Sequence, residues 1–464
     1  MPNEKPNFLV QGERARLFPV LSDSSKEGRA TSIFLACLAN VDEFADKLLS
    51  SVGRKVGKLS RVRTYTEVCF AKESEQMRGR PDGLIEVKTG NSHWNALIEA
   101  KIGNAALGHE QVESYLRIAK ANGIDAVITI SNQFASTPAH HPVEVRTRSR
   151  HSAALYHWSW MHILTEADLL LTNDGVSDID QRVILNELRR FLSHDSTGVK
   201  GFERMPSDWP SLVRDLATGQ RIGPRSLELQ EVIQAWHQEI RDLGLILSRQ
   251  IGISVAAKLP RALAQNPDKR LKRDSESFLK DNCLRATLTV PESAGALDIC
   301  IDVRSRSMAV GMKLAAPEDK KGAAARINWL LKQIKTNDPS DIYIRVHWPH
   351  RGFLQYRLED LRRDVTEAAK AHSGITPMAL EAVLIRTPGP RFMLLRGCVE
   401  DIEALVPAFY NSIGGDLRSW KPTAPKMRDD RLVSEDVSPD AIAEDAEEAV
   451  GTITKKSYWS SNRA

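Results

Sequence analysis

The sequence predicts a mixed α/β sheet flanked by helices, followed by a second α+β domain. Three observations carry that reading. From residue 32 to 130 the pattern runs helix, three strands, helix, strand, the order of one sheet covered on its faces. The run from Ala126 to Ile130 does not alternate with polar residues, as a strand buried on both sides requires. Between Ser196 and Arg225 the chain is rich in Gly, Pro and Ser, which marks a boundary.

The first thirty residues read as polar and irregular. From Ser32 a helix is predicted, because Ile33, Phe34, Cys37, Leu38, Val41, Phe44, Ala45 and Leu48 recur at three- and four-residue spacing. Ser32 serves as its N-cap and Gly53 follows its end. Strands are expected at Arg63 to Phe70, Gly83 to Val87 and Trp94 to Ile102. Thr89-Gly90-Asn91 turns the last two into a hairpin. A helix from about Leu107 ends at Asn122-Gly123, and the buried strand follows. Val143 to Arg150 alternates with Arg146, Arg148 and Arg150. Leu155 to Trp160 reads as a strand, and Thr165 opens a helix.

These elements place one domain at 30–195, a linker at 196–224 and an α+β domain at 225–420. The latter opens on an amphipathic helix over 227–250. Strands follow at 285–290, 297–303, 308–314, 342–348, 380–385 and 392–395, with helices near 323–334, 358–371 and from Glu400. Residues 421–464 turn polar and acidic, the composition of a disordered tail.

Apolar content of 42% and charged content of 27% are those of a globular chain, and no apolar run is long enough to cross a bilayer. Met1-Pro2-Asn3-Glu4-Lys5 lacks the basic-then-apolar order of a signal peptide, so a cytoplasmic protein is expected. The five cysteines form no Cys-x-x-Cys pair, which argues against a disulfide framework or a structural zinc. A net charge of +4 does not by itself identify a nucleic-acid binder.

Residues 80 to 115 are the most specific segment. Asp82 opens one predicted strand, and Glu99 and Lys101 lie two apart on the next, so both project from one face. Strands about 5 Å apart bring the two acids to a shared cation. Carboxylates holding Mg²⁺ or Mn²⁺ neutralise a phosphodiester's developing charge and activate water. The Ala100 carbonyl is a further potential ligand, and the Lys101 ammonium can orient the water. Pro81-Asp82-Gly83 is equally a common turn tripeptide. Glu86-Val87-Lys88 is a second Glu-x-Lys, but Asp82 is too close to Glu86 for the two to occupy separate strands.

Pro81-Asp82, Glu99-Ala100-Lys101 and Gln111-x-x-x-Tyr115 together resemble the PD-(D/E)xK nuclease superfamily, with the helical glutamine motif of its RecB-like branches. The resemblance covers roughly residues 32–170. It implies a restriction-endonuclease-like fold in which Asp82 and Glu99 bind Mg²⁺, Lys101 assists the water and Gln111 supports the site. Glu67 and Glu43 are candidates for an accessory acid. Arg54, Lys55, Lys58, Arg61 and Arg63, five cations without an intervening acid, are candidates for phosphate contacts.

The expected function is metal-dependent hydrolysis of nucleic acid, DNA in the first place. The alternative is a non-cleaving nucleic-acid-binding or sensor protein on the same fold. The second domain is open to ligand recognition, gating or self-association as a homo-oligomer. His140, His141, His151, His157 and His162 lack metal-ligand spacing and read as non-catalytic, and no phosphate-cradling Gly-Lys loop is found.

Overall fold

Two sheets organise the chain. In chain order the first half contains β1 (Leu9–Arg14), α1 (Lys26–Asn40), α2 (Asp42–Ser51), β2 (Ser60–Phe70), β3 (Gly83–Thr89), β4 (Ser92–Ala100), α3 (His109–Asn122), β5 (Ala126–Ser131), β6 (Ala154–Ser159), α4 (Trp160–Thr172) and α5 (Ile179–Leu192). Then come α6 (Trp209–Ala217), α7 (Leu227–Ile251), β7 (Ala256–Ala257), α8 (Arg261–Ala264), α9 (Pro267–Asp281), β8 (Cys283–Thr289), β9 (Leu297–Asp302), β10 (Ser307–Ala315) and α10 (Ala323–Leu331). The last elements are β11 (Ile342–Trp348), β12 (Gly352–Arg357), α11 (Leu358–Arg363), α12 (Thr366–Lys370), β13 (Ala379–Arg386) and α13 (Leu395–Phe409). This computed structural model describes residues 6–19, 25–70, 80–135, 137–143, 153–224, 226–372 and 374–422. Arg146, Arg148, Arg150 and the tail from 423 lie outside the described residues.

The first sheet has the order β1-β2-β3-β4-β5-β6. β1 to β4 pair antiparallel, whereas β4, β5 and β6 pair in parallel. A parallel neighbour requires a crossover, and α3 supplies it between β4 and β5. Alternation sorts the side chains. Ile85, Val87, Ile98, Ala100, Ile128 and Ile130 face the helices α1, α2, α4 and α5, where Phe34, Phe44 and Leu188 lie. Leu84, Leu97 and Val127 face α3, against its Val112, Tyr115 and Ile118.

The second sheet is antiparallel, ordered β12-β11-β13-β10-β9-β8-β7. Its core contains Ile299, Ile301, Val310, Ile344, Val346 and Leu380. Helix α7 joins the halves: Val232, Ile233, Ile240 and Leu243 enter this core, while Leu245 enters the first. The described residues up to Trp420 thus form one compact unit. Cys37, Cys283 and Cys398 are buried, Cys69 and Cys300 half-buried, and all are free thiols. Among the described residues no helix is long and apolar enough to cross a membrane.

Several elements differ from the sequence expectation. The helix predicted from Ser32 begins at Lys26 and breaks at Val41, whose extended backbone (φ −123°, ψ 103°) starts α2. β1 lies in the stretch read as irregular. It is an edge strand made by main-chain pairing, and Leu9 is its one buried side chain, so there was no alternation to read. Helix α4 starts at Trp160, five residues early, because the Ser159 hydroxyl accepts the His162 N–H at 3.1 Å. The segment expected to be a linker carries α6. The predicted 358–371 helix divides at Asp364. The strand expected at 392–395 is instead a 3₁₀ turn over Gly389–Met393, with Phe392 buried, and α13 begins at Leu395.

Gly83 is small for a packing reason. A Cβ there would stand 2.5 Å from Leu35 Cδ1 on α1 and 2.8 Å from the Tyr65 carbonyl oxygen. Pro81-Asp82-Gly83 is therefore the entry to β3 under a closely seated helix and not a turn. Gly83→Ala is expected to cost roughly 1–3 kcal/mol in urea unfolding. An unchanged midpoint would mean that α1 yields at this contact.

Candidate functional site

In the antiparallel register Gly83 faces Ile98, so Asp82 and Glu99, one residue beyond on each strand, lie opposite on the α3 face. The Ala100 N–H donates to Asp82 Oδ2 at 2.7 Å. Lys101 is held through its backbone: its N–H donates to the Ile130 carbonyl at 2.7 Å, and its own carbonyl accepts the Trp160 Nε1–H at 2.9 Å. The Lys101 ammonium meets Glu99 Oε1 at 2.5 Å, Glu27 Oε1 at 3.0 Å and the Ala100 carbonyl at 3.2 Å. From α3, Gln111 Nε2 donates to the same Glu99 oxygen at 2.6 Å and lies 3.0 Å from the Tyr115 hydroxyl. The structure thus brings together Asp82, Glu99, Lys101 and Gln111.

Glu27 is the residue that sequence reasoning missed. It sits in the first turn of α1. An earlier helix start was legible in Ser25 followed by Glu27, an N-cap serine with an acid in the first turn.

The electrostatics follow from three acids around one ammonium. Burial first, then the Glu99 charge, push the Asp82 carboxyl up to about 8, against the Ala100 N–H and Lys101. Burial also raises Glu99, and Lys101 opposes it. Burial alone would lower Lys101, but Glu99 and Glu27 hold it above its ordinary value. Glu99 is 2% exposed, and its Oε2 is buried without a partner among the described residues. Two buried carboxyls whose ionisation burial opposes, one of them with an orphaned oxygen, suit a hard cation, whose charge would favour both ionised forms.

Among the described residues no group of three or more His, Cys, Asp or Glu is arranged to hold a metal. The donor set is smaller: Asp82, Glu99 and the Ala100 carbonyl. Mg²⁺ binds through one or two carboxylates and keeps several waters, so this set fits it.

Of the other candidates, Glu67 borders the cleft that Asp82 lines, whereas Glu43 and the basic run lie elsewhere. Glu43 Oε1 accepts from Ser177, at 2.9 Å from the hydroxyl and 3.2 Å from the backbone nitrogen. Glu67 has a left-handed backbone (φ 55°) and meets Arg80 at 2.6 Å. With Arg16, Arg80 and Asp82 it lines a cleft of about 110 Å³. The run Arg54, Lys55, Lys58, Arg61 and Arg63 gathers toward the start of β2, beside Thr89 where β3 turns into β4. Thr89 is seven residues of strand beyond Asp82, about 23 Å. Arg54 reaches Thr89 Oγ1 at 3.5 Å, Arg63 faces Glu86 at 3.8 Å, and Lys55, Lys58 and Arg61 are exposed. Glu86 is opposite Arg63 across the strands, so the second Glu-x-Lys is a sheet ion pair.

Beside the site, Glu99 is in register with Thr129 and Thr129 with His157, continuing the polar row across β5 and β6. One arrangement of protons satisfies every group. His157 Nε2–H donates to the Gln133 carbonyl at 2.9 Å, and Thr129 O–H donates to His157 Nδ1 at 2.8 Å. The Thr129 oxygen accepts His141 Nε2–H at 2.7 Å, and His141 Nδ1 accepts the Val143 N–H at 3.0 Å. Burial lowers both imidazoles, His157 to about 3, so both are neutral at pH 7.

Thr129→Val keeps the shape but orphans two ring nitrogens, and should cost about 2–3 kcal/mol by denaturant unfolding at pH 7.5. A cost near zero would mean that water replaces the hydroxyl. A histidine depressed in the folded state contributes stability above its unfolded pKa of about 6.5 and loses it as pH falls toward the folded value. The stability gap between wild type and His157→Gln should therefore shrink by roughly 2 kcal/mol from pH 7.5 to pH 5. A constant gap would contradict the neutral assignment.

Comparison of the chain with protein families, with curated proteins and with solved structures finds no match to any of them.

Proposed function

We propose that the chain is a Mg²⁺-dependent nuclease, its first half a restriction-endonuclease-like domain that hydrolyses phosphodiester bonds, with DNA the expected substrate. The observation that carries this reading is the meeting of Lys101 and Gln111 on the buried Glu99 carboxylate, whose other oxygen is unpartnered, with Asp82 bonded to the adjacent Ala100 N–H. A sheet antiparallel through β4 and parallel beyond it, with one crossover helix, is in keeping with that fold.

In this reading Asp82, Glu99 and the Ala100 carbonyl hold the cation, which supplies Lewis acidity and an activated water. Gln111 donates to Glu99 Oε1 and so leaves Oε2 for the cation. Lys101, anchored through its backbone, presents an ammonium that orients the water and balances phosphoryl charge. Glu27 holds that ammonium from α1. Arg16 and Arg80 line the cleft beside Asp82, paired there with Glu13 and Glu67, and in this reading they would exchange those acids for substrate phosphates.

The test is to incubate purified protein with linear, circular and single-stranded DNA and with RNA, in Mg²⁺ and in EDTA. Cleavage that requires Mg²⁺ is expected. Binding without cleavage under every condition would favour the non-cleaving alternative.

A further inference from the structure

Lys269, Arg270, Lys272 and Arg273, four cations within five residues, lie on α9, whose N-cap Asn266 accepts the Lys269 N–H at 2.9 Å. Positions 270, 273, 277 and 280 follow helical spacing and share a face. That face borders a cleft of about 450 Å³, into which Lys258 after β7 and Arg285 on β8 also project. Five cations from three elements surround the space, against Asp274 and Glu276.

The acid closest to these arginines is already engaged. Asp274 Oδ2 is 2.8 Å from His237 Nε2, and its other oxygen accepts from Arg273 Nε at 2.7 Å. Arg285 pairs with Asp281. Lys258 and Lys280 are exposed and pair with no carboxylate among the described residues. Arg270 is 6% exposed, and its Nε stands 3.6 Å from Asp274 without a hydrogen-bond partner. A buried guanidinium beside an open cleft, ion-paired with an acid already shared with His237 and Arg273 and with its Nε–H unbonded, suits a further anionic acceptor.

We propose that this cleft binds the phosphate of a nucleotide-sized ligand. The planar guanidinium fork matches phosphate oxygens, the two free ammoniums add charge at the rim, and Ser277 offers a hydroxyl. The volume falls in the range of about 300–1,000 Å³ usual for small-molecule sites. The proposal is independent of the nuclease reading, because these residues belong to the second sheet and its helix.

The test is calorimetry on the full chain in metal-free buffer at low salt. The probes are pyrophosphate, deoxyadenosine 5′-monophosphate and unphosphorylated deoxyadenosine. Saturable binding of the two phosphorylated probes is expected, with none of the nucleoside, and it should weaken with added salt. Lys258→Gln/Lys280→Gln, a change of two exposed side chains, should weaken it about tenfold, and Arg270→Gln at least as much. Lys101→Ala should bind as wild type does, which separates this site from the one around Glu99. Competition with a short 5′-phosphorylated oligonucleotide then tells whether the phosphate arrives on a free nucleotide or on a strand end. Absence of saturable binding by either phosphorylated probe, or wild-type affinity in the double lysine variant, would overturn the assignment.

Discussion

Glu99→Gln is expected to cut Mg²⁺-dependent cleavage by orders of magnitude while leaving the protein as stable as wild type or more so. The amide keeps an oxygen to accept from Lys101 and Gln111, whose bonds to Glu99 Oε1 are 2.5 and 2.6 Å. It removes one of three acids near a single ammonium, where burial first and neighbouring carboxylates second raise both Asp82 and Glu99. Cleavage should fall by roughly 10²- to 10⁴-fold, the scale of lost acid–base or electrostatic assistance. Lys101→Ala should fall by a similar factor for a different reason, since it leaves the carboxylates and takes away the ammonium beside them. Opposite signs on activity and stability would mark a site whose charges are arranged for chemistry, not for folding. Glu99→Gln or Lys101→Ala protein that cuts at the wild-type rate, with circular dichroism confirming the fold, would remove the nuclease assignment.

The largest stability effect is expected at Trp209→Ala. This residue lies in the segment whose Gly, Pro and Ser content reads as a linker. It is nevertheless fully buried, donates its indole N–H to the Phe392 carbonyl at 2.8 Å and packs on the Phe392 ring, with centroids 5.4 Å apart. Leu212, Val213 and Leu216 of the same helix join it in the second core. Truncation opens a cavity and strands a buried carbonyl, for a cost of about 3–5 kcal/mol. A flexible linker would show almost none. Chemical denaturation followed by tryptophan fluorescence reads the difference, and a cost below about 1 kcal/mol would mean that α6 is not part of the core.

The origin of that misreading is physical. Composition reports how often a segment avoids regular structure, but four buried apolar residues in nine are enough to seat a short helix once a partner surface exists. The same holds for β1, whose stability as a strand comes from main-chain pairing with β2 and not from its side chains. Where the pattern was strong, as in β5 or α7, element and position agreed closely with expectation. The basic runs were visible as charge, but charge along a sequence does not say which end of a strand it reaches. Arg54 to Arg63 lies far from the acids, whereas Arg16 and Arg80, neither of them a phosphate-contact candidate in the sequence, border them.

Local spacing alone was sufficient to put Glu99 and Lys101 on one face, to pair Asp82's strand with theirs and to set Gln111 on the following helix, because strand and helix periods are properties of a few adjacent residues. Glu27's approach from α1, the orphaned oxygen of Glu99 and the Thr129 bridge between two neutral histidines were decided only in three dimensions. Those contacts join residues up to 74 positions apart, and their existence depends on how helices seat against the sheet. No local pattern encodes that seating; packing of the whole core does.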